Sequence, residues 1–403
     1  MKVDIAAPTT VRLVLALVIV LAGFRYVHDI VKLALEAPTI DFATHYGFTA
    51  ALWAGVNPFR PDGLAWVDTM LGVRRAGTPG TLPPGGYLVF VPLLLVPFPA
   101  ARLLWLAIGQ ACFAATLLLL RRRLVPSALL AVCGLFVALS FQPLYEDVAL
   151  GNVNVEVACL LAIAMLAHVD GKVVATALPL SLAVMLKLPF AALIPYLWWL
   201  GTPGTAALTL ALGAGWCALA SVLFGTAWIG DYWAFLSVGS APLHAWPRNL
   251  SPHAVLHRLT GVLEPNVWVD ALAIALAVAI IAAVLVSTRD ARADADGRLG
   301  GWMLALAALP LASPLAEENH FVVELIPLLF VLARAFDFRT TAERVMVLTT
   351  ILLLASRYSL EGFAALSTGM PALAQTGKIV GVAVLTVLTA RLVRRVPREE
   401  TVR

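Results

Sequence analysis

The chain has 403 residues, 61% of them apolar and 13% charged, and a mean hydropathy of +0.90, whereas a soluble domain carries about 25% charge. That balance excludes a water-soluble globule, and repeated apolar stretches near the roughly 20 residues that cross a bilayer point to an all-α polytopic membrane protein. The formal net charge of +4 arises from basic residues at the ends of apolar runs, without the aromatic interleaving of a nucleic-acid surface, so no nucleic-acid partner is expected.

In chain order, the first apolar run, Leu13 to Phe24, is read as a retained helix. Arg25, His28, Asp29 and Lys32 follow it without a small-residue cleavage site. Crossings are predicted near 11–35, 103–120, 126–142, 153–170, 172–187, 189–201, 205–224, 266–287, 300–314, 321–337, 342–358 and 376–392. About twelve spans result, in one integral-membrane domain over 1–403 with both ends cytoplasmic. This orientation puts Arg121 to Arg123, Lys172, Arg289, Arg298, Arg339, Arg344, Arg391 and Arg394 inside, as the positive-inside rule asks. Tyr87 to Phe98 is too short and proline-interrupted to cross, and reads as a half-helix or re-entrant segment. Two long structured outer loops, about 38–86 and 225–265, mix Trp, Tyr and Phe with Pro and Gly, a composition suited to the headgroup layer. Within the first, Asp41 to Trp53 predicts a short amphipathic helix capped by Asp41 and stopped by Gly55, Asn57 and Pro58. Cys112, Cys133, Cys159 and Cys217 all lie in apolar stretches, without metal or disulfide spacing, and read as core.

Ionisable groups are expensive in a membrane bundle, so those predicted on the outer side are functional candidates. Arg25, His28, Asp29 and Lys32 share one helical face and form a self-neutralised set, with Asp29 in reach of Arg25 and Lys32. Asp41 shares a face with His45. The turn QPLYEDVALGNVNV packs Tyr145, Glu146, Asp147, Asn152 and Asn154 between two apolar helices, and Lys187 ends another in LKLPF. His244, Arg248, Asn249 and His253 crowd the second loop. Glu317, Glu318, Asn319 and His320 form a polar turn, and Arg357 ends a later span. A phosphate-binding GxxxxGK[ST], HExxH, paired CxxC and GxSxG are all missing from the sequence, and there is no DxD of the metal-nucleotide kind, so neither metal nor cofactor is expected. A few carboxylates facing several cations suit a reaction in which one carboxylate takes a hydroxyl proton while cations stabilise a departing phosphate. They also suit a lipid-phosphate binding site without chemistry.

The ordered elements DFATHYGFTAALWAGVNPF, PPGGYLVFVPLLLVPFP, LGNVNVEVACLLAIAML, LKLPFAALIPYLWW and SPLAEENHFVVELIPLLF resemble glycosyltransferase family 87 of the GT-C superfamily, over roughly Asp41 to Leu329. The resemblance implies a GT-C-like bundle in the bacterial inner (plasma) membrane. It also implies an enzyme that moves a sugar from a polyprenyl-phosphate donor to a glycolipid or polysaccharide acceptor on the outer face, with inversion. Mannose is the expected sugar, from the family's mannosyltransferase branch, and arabinofuranose the alternative. Asp41 matches the family's general base. His320 matches the second position of an SPxxxxHH-like turn, with Asn319 in the first. Asn152 and Asn154 match a GQVN-like element, Asn152 replacing Gln, and Lys187 matches a KP-like position with Leu188 intervening. Where the family reads YPP, Leu82 precedes Pro83 and Pro84, which marks a divergent member. Under this reading Lys187, Arg248, His320 and Arg357 bind the donor phosphate. His45, Tyr87, Glu146, Asn152, Asn154, Glu318 and Asn319 bind substrate. A lipid-linked sugar flippase is the rival class, but it would place its ionisable groups near the bilayer midplane.

Overall fold

A computed structural model describes residues 9–72, 82–124, 127–239, 248–262, 264–289, 294–356 and 368–395. Among these residues the chain is helical, with no strand. The α-helices begin with α1 (Thr9–Glu36), α2 (Ile40–Trp53), α3 (Pro61–Leu71), α4 (Phe98–Leu124), α5 (Ala128–Leu139) and α6 (Gln142–Leu150). They continue with α7 (Asn154–Val169), α8 (Val173–Leu186), α9 (Leu193–Trp199), α10 (Pro203–Phe224), α11 (Ile229–Gly239) and α12 (Pro252–Thr260). The last are α13 (Val267–Ser287), α14 (Ala295–Ala312), α15 (Leu325–Ala333), α16 (Thr341–Ala355) and α17 (Gly377–Arg395).

Among the described residues five helices are long and apolar enough to cross a membrane, Leu13–Glu36, Phe98–Leu124, Pro203–Phe224, Val267–Ser287 and Met370–Arg394, or six if the bent pair α5–α6 is one span. Each coincides with a predicted span. The other predicted stretches form helices that are shorter, less apolar or broken, so a count of twelve crossings is not shown. The stretch at 126–142 holds α5, after which the chain bends by 42° into α6, because Ser140 and Phe141 leave helical geometry at the junction. The stretch at 189–201 opens as the 3-10 turn Leu188–Ala192 behind Pro189. Hydropathy registers an apolar run but not the break inside it. Tyr87 to Phe98 falls short of a crossing, as expected: Pro84–Leu95 is a 3-10 helix with Pro92 inside it. Gly86 lets this segment pack on α8, since a Cβ there would stand 2.2 Å from the Met185 carbonyl oxygen.

α1, α10 and α13 leave most of their apolar surface outside the protein, with Val222, Trp268 and Val286 largely exposed. Such a helix, apolar all round, is at home against lipid. The interior belongs to α7 and α15, nearly all of whose side chains are buried, and to the second half of α8. At one end of the bundle, Arg298 donates to the Val169 carbonyl, Arg394 to Ser287, and Arg391 pairs with Glu343. At the other, α7 begins, α8 ends and the Glu318–Glu324 turn folds in. The basic residues predicted inside and the polar residues predicted outside thus lie at opposite ends of α7, a helix about 24 Å long at about 1.5 Å per residue.

Several local readings change. Thr39, not Asp41, is the N-cap of α2. The helix is not amphipathic either: Phe42 to Thr49 are all buried. On α1, Asp29 pairs with Arg25 at 3.4 Å and His28 at 3.1 Å, whereas Lys32 turns to Glu36 at 3.9 Å.

Candidate active site

A cavity of about 320 Å³ opens where α2, the α6–α7 turn, the end of α8, α11 and the turn before α15 converge. Asp41, His45, Asn152, Lys187, Arg248 and His320 all line it. Six of the side chains singled out from sequence, spread over 280 positions, therefore meet in one place.

The backbone places Asp41 by an unusual turn. Thr39 is fully buried in the left-handed region, φ 43° and ψ 50°, a conformation that costs a side-chain-bearing residue about 1–2 kcal/mol. Its N–H donates to the Ala149 carbonyl at 3.3 Å, joining α2 to the end of α6. Gly151, at φ +64°, lies against the same turn; a Cβ there would stand 2.8 Å from the Cβ of Phe42. Asp41 then occupies the first turn of α2, where the free N–H groups favour a carboxylate.

Asn152 holds Asp41. Its Oδ1 accepts from Val153 N at 2.7 Å, Asn154 Nδ2 at 3.1 Å and Lys187 Nζ at 3.4 Å. Three donors on one oxygen fix which way the amide points, so Nδ2 faces Asp41 Oδ2 and donates to it at 2.5 Å. Among the described residues no donor is placed on Asp41 Oδ1. Asn154 in turn donates to the buried Asp147 at 2.7 Å.

Burial pushes the Asp41 carboxyl above its ordinary range, against the Asn152 hydrogen bond and the charges of Lys187 and Arg248, which pull it down. Burial likewise draws Lys187 down, while Asp41, Asp147 and Glu317 push it back up. His320 is held well below its usual value, first by burial and then by Lys187. Its Nδ1 accepts from the Glu317 N–H at 3.2 Å, so in the neutral ring the proton sits on Nε2. The downward direction of its pKa favours the neutral ring of His320.

Other expected residues lie elsewhere. Tyr87 is fully buried among Phe48, Phe59 and Trp228. Glu146 accepts from Gln142 and does not line the cavity. Glu318 pairs with the buried Lys378 at 2.9 Å, and Asn319 is buried beside it. Asn154 lines a small neighbouring cavity shared with Lys187 and His320. Arg357 and His244 lie outside the described residues. Glu317 and Tyr232 do line the main cavity, although neither was among the expected substrate-binding residues.

The model of glycosyltransferase family 87 matches residues 81–314. The chain belongs to this family. No curated protein and no solved structure matches it. The matched stretch supplies Asn152, Lys187, Tyr232 and Arg248 to the cavity, while Asp41, Glu317 and His320 come from outside it. As a glycosyltransferase with several membrane-capable helices, the protein needs a donor and an acceptor that meet at or near a bilayer.

Proposed function

We propose that this glycosyltransferase moves mannose from a polyprenyl-phosphate donor to a hydroxyl of a glycolipid or polysaccharide. The transfer takes place on the outer face of the inner membrane, by one inverting displacement with Asp41 as base. What carries this reading is the meeting of Asp41, Lys187, Arg248 and His320 in one cavity. A second observation supports a lipid-linked donor. An apolar groove of about 910 Å³ between the Leu188–Trp199 segment, α13 and α14 shares Leu188 and Pro189 with the polar cavity. A polyprenyl chain would lie in the groove and its phosphate in the cavity. The shorter apolar helices would complete the GT-C-like bundle around them.

In the displacement the acceptor oxygen bonds to the anomeric carbon as that carbon's bond to the phosphate oxygen breaks. The hydroxyl proton passes to Asp41, and polyprenyl phosphate leaves with the bonding electrons. Phosphate departs without needing a proton, so a single base suffices. A carboxylate raised by burial is a stronger base than one in water. Lys187, Arg248 and the Nε2–H of His320 stabilise the charge that grows on the leaving phosphate. No step calls for a metal or cofactor.

The test is transfer of labelled sugar from polyprenyl-phosphate-mannose, and in parallel polyprenyl-phosphate-arabinose, to a membrane glycolipid extract. Wild type is expected to transfer mannose with inversion, and Asp41→Asn to lose about 10²–10⁴ in rate. A folded Asp41→Asn enzyme with full activity would overturn the assignment of the base. Transfer from the arabinose donor alone would replace mannose by arabinofuranose.

A further inference from the structure

A second polar constellation stands apart from the transfer site. His253 and His257 lie one turn apart on α12, and Asp270 faces them from the first turn of α13. His253 Nε2 is 2.7 Å and His257 Nε2 3.0 Å from the same oxygen, Asp270 Oδ1. One donor atom from each residue lies within 4.8 Å of the others. The His257 side chain is fully buried, while His253 is 23% and Asp270 37% exposed.

The protonation pattern narrows what belongs there. His257 Nδ1 lies 2.7 Å from the Val262 carbonyl, which can only accept, so Nδ1 carries a proton. In the neutral ring Nε2 therefore turns a lone pair toward a carboxylate that also offers lone pairs. Only a further proton or a cation between them satisfies that contact. A backbone carbonyl that fixes the tautomer from behind is the usual outer-shell support of a ligating imidazole.

We propose that His253, His257 and Asp270 bind a divalent transition-metal ion, Zn²⁺ by its ligand chemistry, which clamps α12 to α13. Two imidazoles and one carboxylate suit Zn²⁺ better than Mg²⁺ or Ca²⁺, which prefer all-oxygen sets. Around a tetrahedral ion with bonds of roughly 2.0 Å the ligand atoms stand about 3.3 Å apart. The two His–Asp separations, 2.7 and 3.0 Å, need to open by only about 0.3–0.6 Å to reach that geometry. The exposed side of His253 and Asp270 leaves the fourth position to water.

The clamp has a structural purpose that the surrounding bonds define. α13 leaves most of its surface to lipid and has few anchors of its own. α12, by contrast, is tied to the transfer site. Its Arg258 donates to the Asn249 carbonyl at 2.7 Å, and Asn249 Oδ1 accepts from Ser251 N and Ala316 N. Arg248 on one side and the turn bearing Glu317 and His320 on the other thus move with α12. An ion at His253, His257 and Asp270 would fix that unit to the bundle wall without entering the reaction. The motif reading, which finds no HExxH, expects no metal; this site is built instead from an H-x3-H pair whose carboxylate lies 13 residues further on.

The experiment uses purified full-length protein in detergent, freed of any His tag, stripped with chelator and reloaded with Zn²⁺ or Co²⁺. The variants are His253→Ala and Asp270→Asn, both partly exposed and therefore tolerated by the fold. Wild type is expected to retain about one Zn²⁺ per chain after desalting, to melt at a higher temperature with Zn²⁺ than after chelation, and to give the visible bands of four-coordinate Co²⁺. Both variants are expected to lose the ion, the bands and the Zn²⁺-dependent melting shift while eluting as wild type does. The proposal fails if wild type retains no more metal than the variants, or if its melting temperature is the same with Zn²⁺ and with chelator. If a variant does not fold, the wild-type Co²⁺ spectrum decides, and its absence overturns the site.

Discussion

The grip of Asn152 on Asp41 gives the sharpest test of the transfer site. Asn152→Ala removes the donor that stands 2.5 Å from Asp41 Oδ2 and leaves the carboxyl to its burial. A hydrogen bond to a charged group contributes about 1.5–3 kcal/mol. It favours the ionised form, so its loss raises the pKa of Asp41 beyond the rise that burial already causes. At about 1.4 kcal/mol per pKa unit, the shift is about one to two units upward. The proposed base works only when ionised, so the acid limb of the pH–rate profile is expected to move toward higher pH by that amount. Transfer falls most at low pH and recovers as pH rises. The same change strands Val153 N, Asn154 Nδ2 and Lys187 Nζ, which lose a shared acceptor, so a drop of about 1–3 kcal/mol in stability accompanies it. The assay is initial transfer rate against pH at saturating donor, for wild type and variant, with melting temperatures recorded in the same buffers. If the two acid limbs superimpose while Asp41→Asn abolishes transfer, Asn152 does not tune the base and the reasoning fails.

Lys187→Met removes the cation nearest to Asp41 through Asn152; transfer is expected to fall about 10²–10³-fold in kcat, and an unchanged kcat would remove Lys187 from leaving-group stabilisation. Glu318→Gln breaks the pair with the buried Lys378 and is expected to lower stability by about 3 kcal/mol while leaving KM for the donor as in wild type; a raised KM at unchanged melting temperature would restore Glu318 to substrate binding. Gly151→Ala introduces a Cβ at φ +64° against Phe42, which costs about 1–2 kcal/mol from the backbone alone and displaces the turn before Asp41. Its transfer rate should fall by more than its melting temperature explains, and a fully active variant would separate that turn from the placement of the base.

Polar groups between apolar stretches stand out in a sequence because a membrane protein tolerates few of them, and for that reason Asp41, Asn152, Lys187 and His320 were visible before their positions were known. Which neighbour of a visible residue points inward was not. In the EENH turn the chain forms a 3-10 helix, with three residues per turn, so residues three apart share a face. Glu317 and His320 both reach the cavity, while Glu318 rotates away to Lys378. An α-helical or extended reading of the same four letters gives different partners, and the sequence contains no local signal that selects among them. Tyr87 and Tyr232 pose the same difficulty at longer range. Both are aromatic residues of outer segments, but the close approach of Gly86 to Met185 buries the first, and the second is left at the cavity wall. Twelve spans are not shown for a related reason: several apolar stretches form helices of only 10–17 residues, short of a crossing on their own.

The bends and turns that escape a hydropathy reading are the features that build the site. An unbent continuation of α5 would carry the end of α6 away from α2. The break at Ser140 and Phe141 instead returns α6 so that Ala149 accepts from Thr39 and Gly151 lies against Phe42. Thr39 is held in a left-handed conformation that nothing local favours, so the contact with α6 must supply the energy that keeps it there. In return the first turn of α2 is fixed against the first turn of α7, and the carboxylate of Asp41 meets the amide of Asn152 across that joint. For Asp41 as the proposed base, positioning of this kind is worth more to catalysis than the stability it sacrifices, because a base misplaced by about 1 Å loses roughly 10² in rate. The strained Thr39, the crowded Gly151 and the bend after α5 are therefore parts of one device, whose product is the orientation of a single carboxylate.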